Sequence, residues 1–117
     1  MRIIYWETGT GRSPVFDFME SQPPTDRSDI QKRIDFLEEQ GYGLLGTHLK
    51  KLHPYDLFEL RISCKTVIYR ILIAIKNSSA WLLHGFIKKT QATQTREIQT
   101  ALRRKNILES SQQWLSS

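Results

Sequence analysis

The chain has 117 residues, 39% hydrophobic and 25% charged, which fits one soluble globular domain with one core and excludes a disordered chain or a pair of domains. The net charge of +5 is unevenly divided: residues 1–49 hold five Lys/Arg against eight Asp/Glu, net −3, and residues 50–117 hold twelve against four, net +8. The longest apolar run, within Val67–Ile75, is broken by Arg70 and is too short to span a bilayer, and a single cysteine, Cys64, excludes an internal disulfide and argues against a structural zinc site.

The first segment, "MRIIYWE", is rich in β-branched and aromatic residues and is expected to form a short strand. It lacks the long apolar region and small-residue cleavage site of a signal peptide, so a cytoplasmic protein is expected. "GTGRSP" turns the chain. Ser13 suits an N-cap and Pro14 a first helical position, so a short helix should run to about Glu20, where "SQPP" stops it. A second helix should start near Thr25, Asp26 or Ser28. Ile30, Ile34 and Leu37 lie at helical spacing, and Gly41 is a natural stop. "GYGLLG" is a glycine-rich connector without the Gly-Lys-Ser/Thr ending of a phosphate-binding loop.

Strand-like segments follow. "HLKKL" is short. "LFELRIS" alternates, with Phe58, Leu60 and Ile62 on one face and Glu59 and Arg61 on the other. "TVIYRILIAI" is long and β-branched, as a central strand would be. Tight hairpins at "SCK" and "KNSS" join it to its neighbours, the second of which is "WLLHGFI". A last helix should begin near Thr93 or Thr95 and place Ile98, Ala101, Leu102 and Lys105 on one face. Residues 1–106 are expected to form the domain and residues 107–117 a loose tail in which Trp114 alone has reason to dock. The order of elements predicts an α+β domain: an antiparallel-rich twisted sheet of four to five strands, two N-terminal helices and one C-terminal helix.

Strand parity sharpens the charge asymmetry. If Val67, Tyr69, Ile71 and Ile73 face the helices, Arg70 points to the opposite face. If Trp81, Leu83 and Ile87 face the helices, His84 and Lys88 join it. One sheet surface then holds Glu59, Arg61, Arg70, His84 and Lys88, bordered by Lys50 and Lys51, provided no β-bulge intervenes. Each residue has two readings. Arg70, a charge inside an apolar strand, is either the ion-pair partner of Glu59 or a rigid phosphate clamp, and the two can coexist. His84 is either a satisfied strand histidine or an acid–base group. Lys88–Lys89 and Lys50–Lys51 are either solvated cations or phosphate ligands. Arg103–Arg104–Lys105 either balance a helix dipole, the favoured reading, or add a further basic contact. A basic surface of this kind attracts a polyanion. Nucleic acid is the usual one, although an acidic protein or a membrane surface fits the charge equally.

The ordered set "LKKL", "LFELR", "YRI", "LLHGFIKKTQ" and "REIQTALRR", from about Leu49 to Arg104, resembles the RelE/HigB superfamily of bacterial type II toxins, in its phage-derived HigB-like branch. "HPYDLF" stands where that family often has a glycine, and "TQATQT" lacks a proline the family often carries. The resemblance implies a RelE-like toxin that enters the ribosomal A site and cuts mRNA, without metal or other cofactor, by attack of a ribose 2′-hydroxyl on the adjacent phosphate. It implies a helix-turn-helix antitoxin as partner, with ribosomal RNA and mRNA as targets. Carried over by motif, Arg61 matches a catalytic-surface arginine, Lys88 and Lys89 a basic pair, and Lys50 and Lys51 a basic strand or loop. Arg70 matches the arginine of a Tyr-Arg pair, and His84 is an alternative acid or base. Two rival readings are a ParE-like toxin of the same architecture acting on DNA gyrase, and a non-catalytic nucleic-acid-binding module.

Overall fold

A computed structural model describes residues 1–88 and 94–117. In chain order the elements are β1 (Arg2–Tyr5), α1 (Pro14–Glu20), α2 (Pro24–Gln40), a 3-10 turn (Gly41–Leu44), β2 (Leu49–Lys51), β3 (Phe58–Ser63), β4 (Ile68–Lys76), β5 (Ser79–Ile87), α3 (Thr95–Glu109) and α4 (Gln112–Leu115). The α+β expectation holds. The five-stranded sheet is ordered β1-β5-β4-β3-β2, with β1 parallel to β5 and the other pairs antiparallel.

Local chemistry sets the boundaries. The Ser13 hydroxyl accepts the Phe16 N–H at 3.3 Å and Pro14 opens α1, where its missing N–H costs nothing. The prolines that end α1 also open α2: Pro24 is its first residue. Helix α2 stops at Gly41, whose φ of +53° is unfavourable for a residue with a side chain. Ile30, Ile34 and Leu37 are buried from one face of α2, against Leu60, Ile62, Tyr69 and Ile71 of the sheet.

The second face of the sheet is only half covered. Helix α3 packs Ile98, Ala101 and Leu108 against Leu72, Ala74, Trp81 and Leu83. Trp81 and Leu83 were expected under the N-terminal helices, and the structure puts them on the opposite side. The cause is a β-bulge. Leu72 pairs with His84 and Ile73 with Leu82, which leaves Leu83 as the extra residue. Alternation before the bulge therefore sends Ala80 and Leu82 toward α1 and α2. After it, Gly85 meets Phe18 of α1: a Cβ there would lie 2.6 Å from Phe18 Cδ2, so only glycine lets the helix approach this closely.

The C-terminal end also differs from expectation. Helix α3 continues through residue 106, and Leu108 beyond that boundary is 2% exposed. Lys105, expected at the edge of the apolar stripe, is buried and donates to Asp56 and Glu109, both at 3.4 Å. The segment expected as a loose tail forms α4, capped by Ser111. Trp114 packs against Trp81 with ring centroids 6.3 Å apart and planes tilted by 53°, and Lys76 donates to the Trp114 carbonyl. Apolar residues on both sides of position 106 share the same buried face, and that is why the helix does not stop there. Among the described residues no helix is long and apolar enough to cross a membrane.

Candidate functional site

The uncovered half of the second face lies over β2, β3 and the start of β4. Registers place its side chains in rows. Arg61 on β3 is directly opposite Arg70 on β4, and Lys50 on β2 is opposite Glu59 on β3. The Arg61 N–H donates to the His48 carbonyl at 2.8 Å, which carries the β2–β3 ladder one residue further and sets His48 beside Arg61. Two arginines facing each other across a ladder repel. Glu59 relieves this on one side only: its carboxylate accepts from Arg70 at 2.5 Å, with both side chains almost fully buried. Arg61 is exposed, and among the described residues no ion pair or side-chain hydrogen bond engages Arg61, Lys50 or Lys88.

These groups line one open cleft of about 970 Å³. Its cations are Lys50, Lys51, Arg61, Arg70 and Lys88, and no carboxylate lies among its described lining residues. His48 and His53 are also on its wall. Lys88 enters from the end of β5, where its N–H donates to the Ile68 carbonyl at 2.9 Å. Partial burial holds the Lys88 amine below the ordinary lysine range. Arg70, Lys50 and Arg61 push the same way, and Glu59 opposes them. Arg70 adds a guanidinium whose Nε is buried without a hydrogen-bond partner, so its fork keeps unused donor capacity beside the cleft. Lys51 is more engaged: it donates to Asp56 at 2.8 Å and lies over the Phe58 ring at 4.6 Å.

The structure thus brings Lys50, Lys51, Arg61, Arg70 and Lys88 to one place. Lys89 lies outside the described residues. His84 shares the sheet face but not the cleft. Its Nε2 is 3.0 Å from Glu97 and its Nδ1 is 3.3 Å from Arg104, both on α3, and its ring stacks on Phe86. The bulge that sets its direction also puts it beneath the helix, so His84 fastens α3 to the sheet. His48 and His53 were not singled out from the sequence. For His48 the signal was available, because it stands two residues before Lys50 and alternation gives both the same face. Burial first, then Arg33 and Arg61, holds the His48 imidazole below its usual range.

The described residues include one cluster with metal-ligand chemistry, Asp26, Asp29 and Cys64. Tyr69 already donates to Asp26 at 2.6 Å, and burial with the two aspartates pushes the Cys64 thiol up to about 11. A protonated thiol and an engaged carboxylate are poor ligands.

Fold and cleft together define a small α+β domain with a solvent-open recess on its sheet whose charged described residues are all cations. The chain belongs to the family described as Phage derived protein Gp49-like (DUF891), which matches residues 17–106. This is a toxin-like family related to the RelE/HigB-type toxins. A comparison with curated proteins finds no match.

Proposed function

We propose that this protein is the toxin of a type II toxin–antitoxin pair, of the HigB-like kind, and that it cuts mRNA on the ribosome. The observation that carries the reading is the convergence of Lys50, Arg61, Arg70 and Lys88, from separate parts of the sheet, on a cleft with no carboxylate among its described lining residues. A reacting phosphodiester gathers negative charge on its non-bridging oxygens, and fixed cations stabilise that charge without reorganising. Arg61, exposed and with no ion pair among the described residues, presents a planar fork to two of those oxygens. Arg70, clamped by Glu59, holds its guanidinium rigidly at the floor. The charge role a metal fills in other nucleases falls here to side chains. The 2′-hydroxyl attacks the adjacent phosphorus, the bond to the 5′-oxygen breaks, and the products are a cyclic phosphate and a 5′-hydroxyl. Lys88, its amine made a stronger acid first by partial burial and then by the surrounding cations, supplies the proton to the leaving oxygen. A helix-turn-helix antitoxin that covers the cleft would keep the protein silent.

The test is brief induction in a host without antitoxin, with mapping of mRNA 5′ ends. Growth arrest and cuts confined to translated frames are expected, and both should disappear in Arg61→Ala and Lys88→Ala. Arrest with intact mRNA and inhibited supercoiling would turn the assignment to gyrase. Salt-sensitive RNA binding without arrest would reduce the protein to a binding module.

A further inference from the structure

The reaction proposed above needs a group that removes the 2′-hydroxyl proton, and nearly every candidate in the cleft is already protonated at neutral pH. An unperturbed lysine, with pKa of about 10.4, is neutral in roughly 0.04% of molecules at pH 7, whereas an imidazole with pKa of about 6.5 is neutral in roughly three-quarters. Arginine does not deprotonate in this range. Glu59 is buried and spends an oxygen on Arg70. The two imidazoles of the cleft, His48 and His53, remain.

They are not equivalent. His53 lies exposed in the loop between β2 and β3. His48 is built in. Its N–H donates to the Leu44 carbonyl at 3.0 Å and its carbonyl accepts from Arg61 at 2.8 Å. The backbone is therefore fixed on both sides, and the side chain starts from the strand position facing Arg61. Cross-strand neighbours have Cβ atoms about 5 Å apart. An imidazole beside the arginine that grips the phosphate is then within reach of the ribose oxygen next to that phosphate. The His48 ring makes no hydrogen bond among the described residues, so neither nitrogen is committed. The charges that bear on it are cations, Arg33 on α2 and Arg61 on β3, and the described lining of the shared cleft adds Arg70 on β4, Lys88 after β5 and Lys50 on β2. With burial they favour the neutral, proton-accepting ring.

We infer that His48 is the general base of the proposed ribonuclease, an assignment that rests on the ribonuclease reading. One imidazole nitrogen takes the 2′-hydroxyl proton as the oxygen–phosphorus bond forms. The phosphorus–5′-oxygen bond breaks, and the departing oxygen takes a proton from the Lys88 ammonium. One proton enters the enzyme and one leaves, and exchange with water restores both groups.

The experiment uses the full chain, translating ribosomes and a reporter mRNA, with single-turnover cleavage measured across pH. Wild type should lose rate as the pH falls through an apparent pKa on the acid side of 6.5, the ordinary histidine value. His48→Gln should cleave 10²–10³-fold more slowly without that acid limb, consistent with the usual worth of a general base. Its melting temperature and co-sedimentation with ribosomes should match wild type. His48→Ala should regain rate in added imidazole. Cleavage by His48→Gln within threefold of wild type with the acid limb intact overturns the assignment, as does a loss of rate that follows weakened ribosome binding. A wild-type protein that leaves the reporter whole sinks the ribonuclease reading itself, and His48 as its base falls with it.

Discussion

Arg70→Met isolates the one cation of the cleft that is also part of the core. The substitution keeps the volume and removes the charge. It leaves the Glu59 carboxylate, 2% exposed, without the guanidinium now 2.5 Å away. Breaking a buried pair by removing one partner costs about 3–5 kcal/mol, because the remaining carboxylate loses its close guanidinium in a poorly solvated place. A chain of 117 residues has an unfolding entropy near 0.25 kcal/mol/K, so each kcal/mol shifts the melting temperature by about 4 °C. Arg70→Met should therefore melt about 12–20 °C below wild type by circular dichroism. Glu59→Leu should lose a similar amount, since it strands Arg70 opposite Arg61. The double variant removes both charges and should recover most of the loss, with a coupling energy near 3 kcal/mol. It should remain inactive, because the fold returns and the phosphate clamp does not. If Arg70→Met melts within about 4 °C of wild type, or the double variant is no more stable than the singles, the pair is not the anchor of the site.

Other consequences are smaller in size. Lys88→Met should raise stability by a few tenths of a kcal/mol while abolishing cleavage, because the cluster's mutual repulsion is a cost carried for function; matched melting curves and cleavage assays test both halves. Burial chiefly lowers the His84 pKa below its unfolded value of about 6.5, Arg104 and Arg103 adding to it while Glu97 opposes, so stability present above that pH should fall as pH drops through the folded value; His84→Gln should flatten the slope of melting temperature against pH between 7 and 5. Trp114→Ala should cost about 1–3 kcal/mol by uncovering Trp81 and removing the ring over which Lys76 and Lys105 lie, whereas a loose tail would show almost no change on thermal melting.

Much of the molecule was legible because the signals were local. Ser13-Pro14 marks the start of α1 through a cap and a missing N–H that both act within one turn. The alternation of "FELRIS" puts Glu59 and Arg61 opposite Leu60 and Ile62 wherever β3 lies in the sheet. The missed features depend on a neighbour. The Leu83 bulge arises from how β5 registers on β4, and "WLLHGF" alone does not reveal it. Parity without a bulge still put His84 and Lys88 on the face of Arg70, because the reversal ends before His84; it failed for Trp81 and Leu83, which lie before the reset. Parity also says nothing of what covers a face. His84 was therefore grouped with the cations, although α3 lies over it and Glu97 and Arg104 claim both its nitrogens. Lys105 was assigned to the edge of its helix face because Asp56, its buried-side partner, comes 49 residues earlier.

The placement of charge follows from which part of the chain covers which side of the sheet. Helices α1 and α2 together carry seven acidic and three basic residues, net −4, and they cover one face. Strands β2 to β5 come largely from the half of net charge +8, and Lys50, Arg61 and Arg70 among their cations line the cleft on the other face. The sequence asymmetry thus becomes an asymmetry through the thickness of the domain. In the field of a polyanion such a body turns its cleft inward and its helical face outward before any contact forms. Arg61 and Lys88, which make no ion pair among the described residues, would on the proposed reading meet phosphate first. Arg70 waits below them with its Glu59 partner, already oriented. On the proposed reading, repulsion among these cations weakens the free protein slightly and would be relieved by an entering phosphodiester, so the feature that costs stability would be the one that favours the bound state.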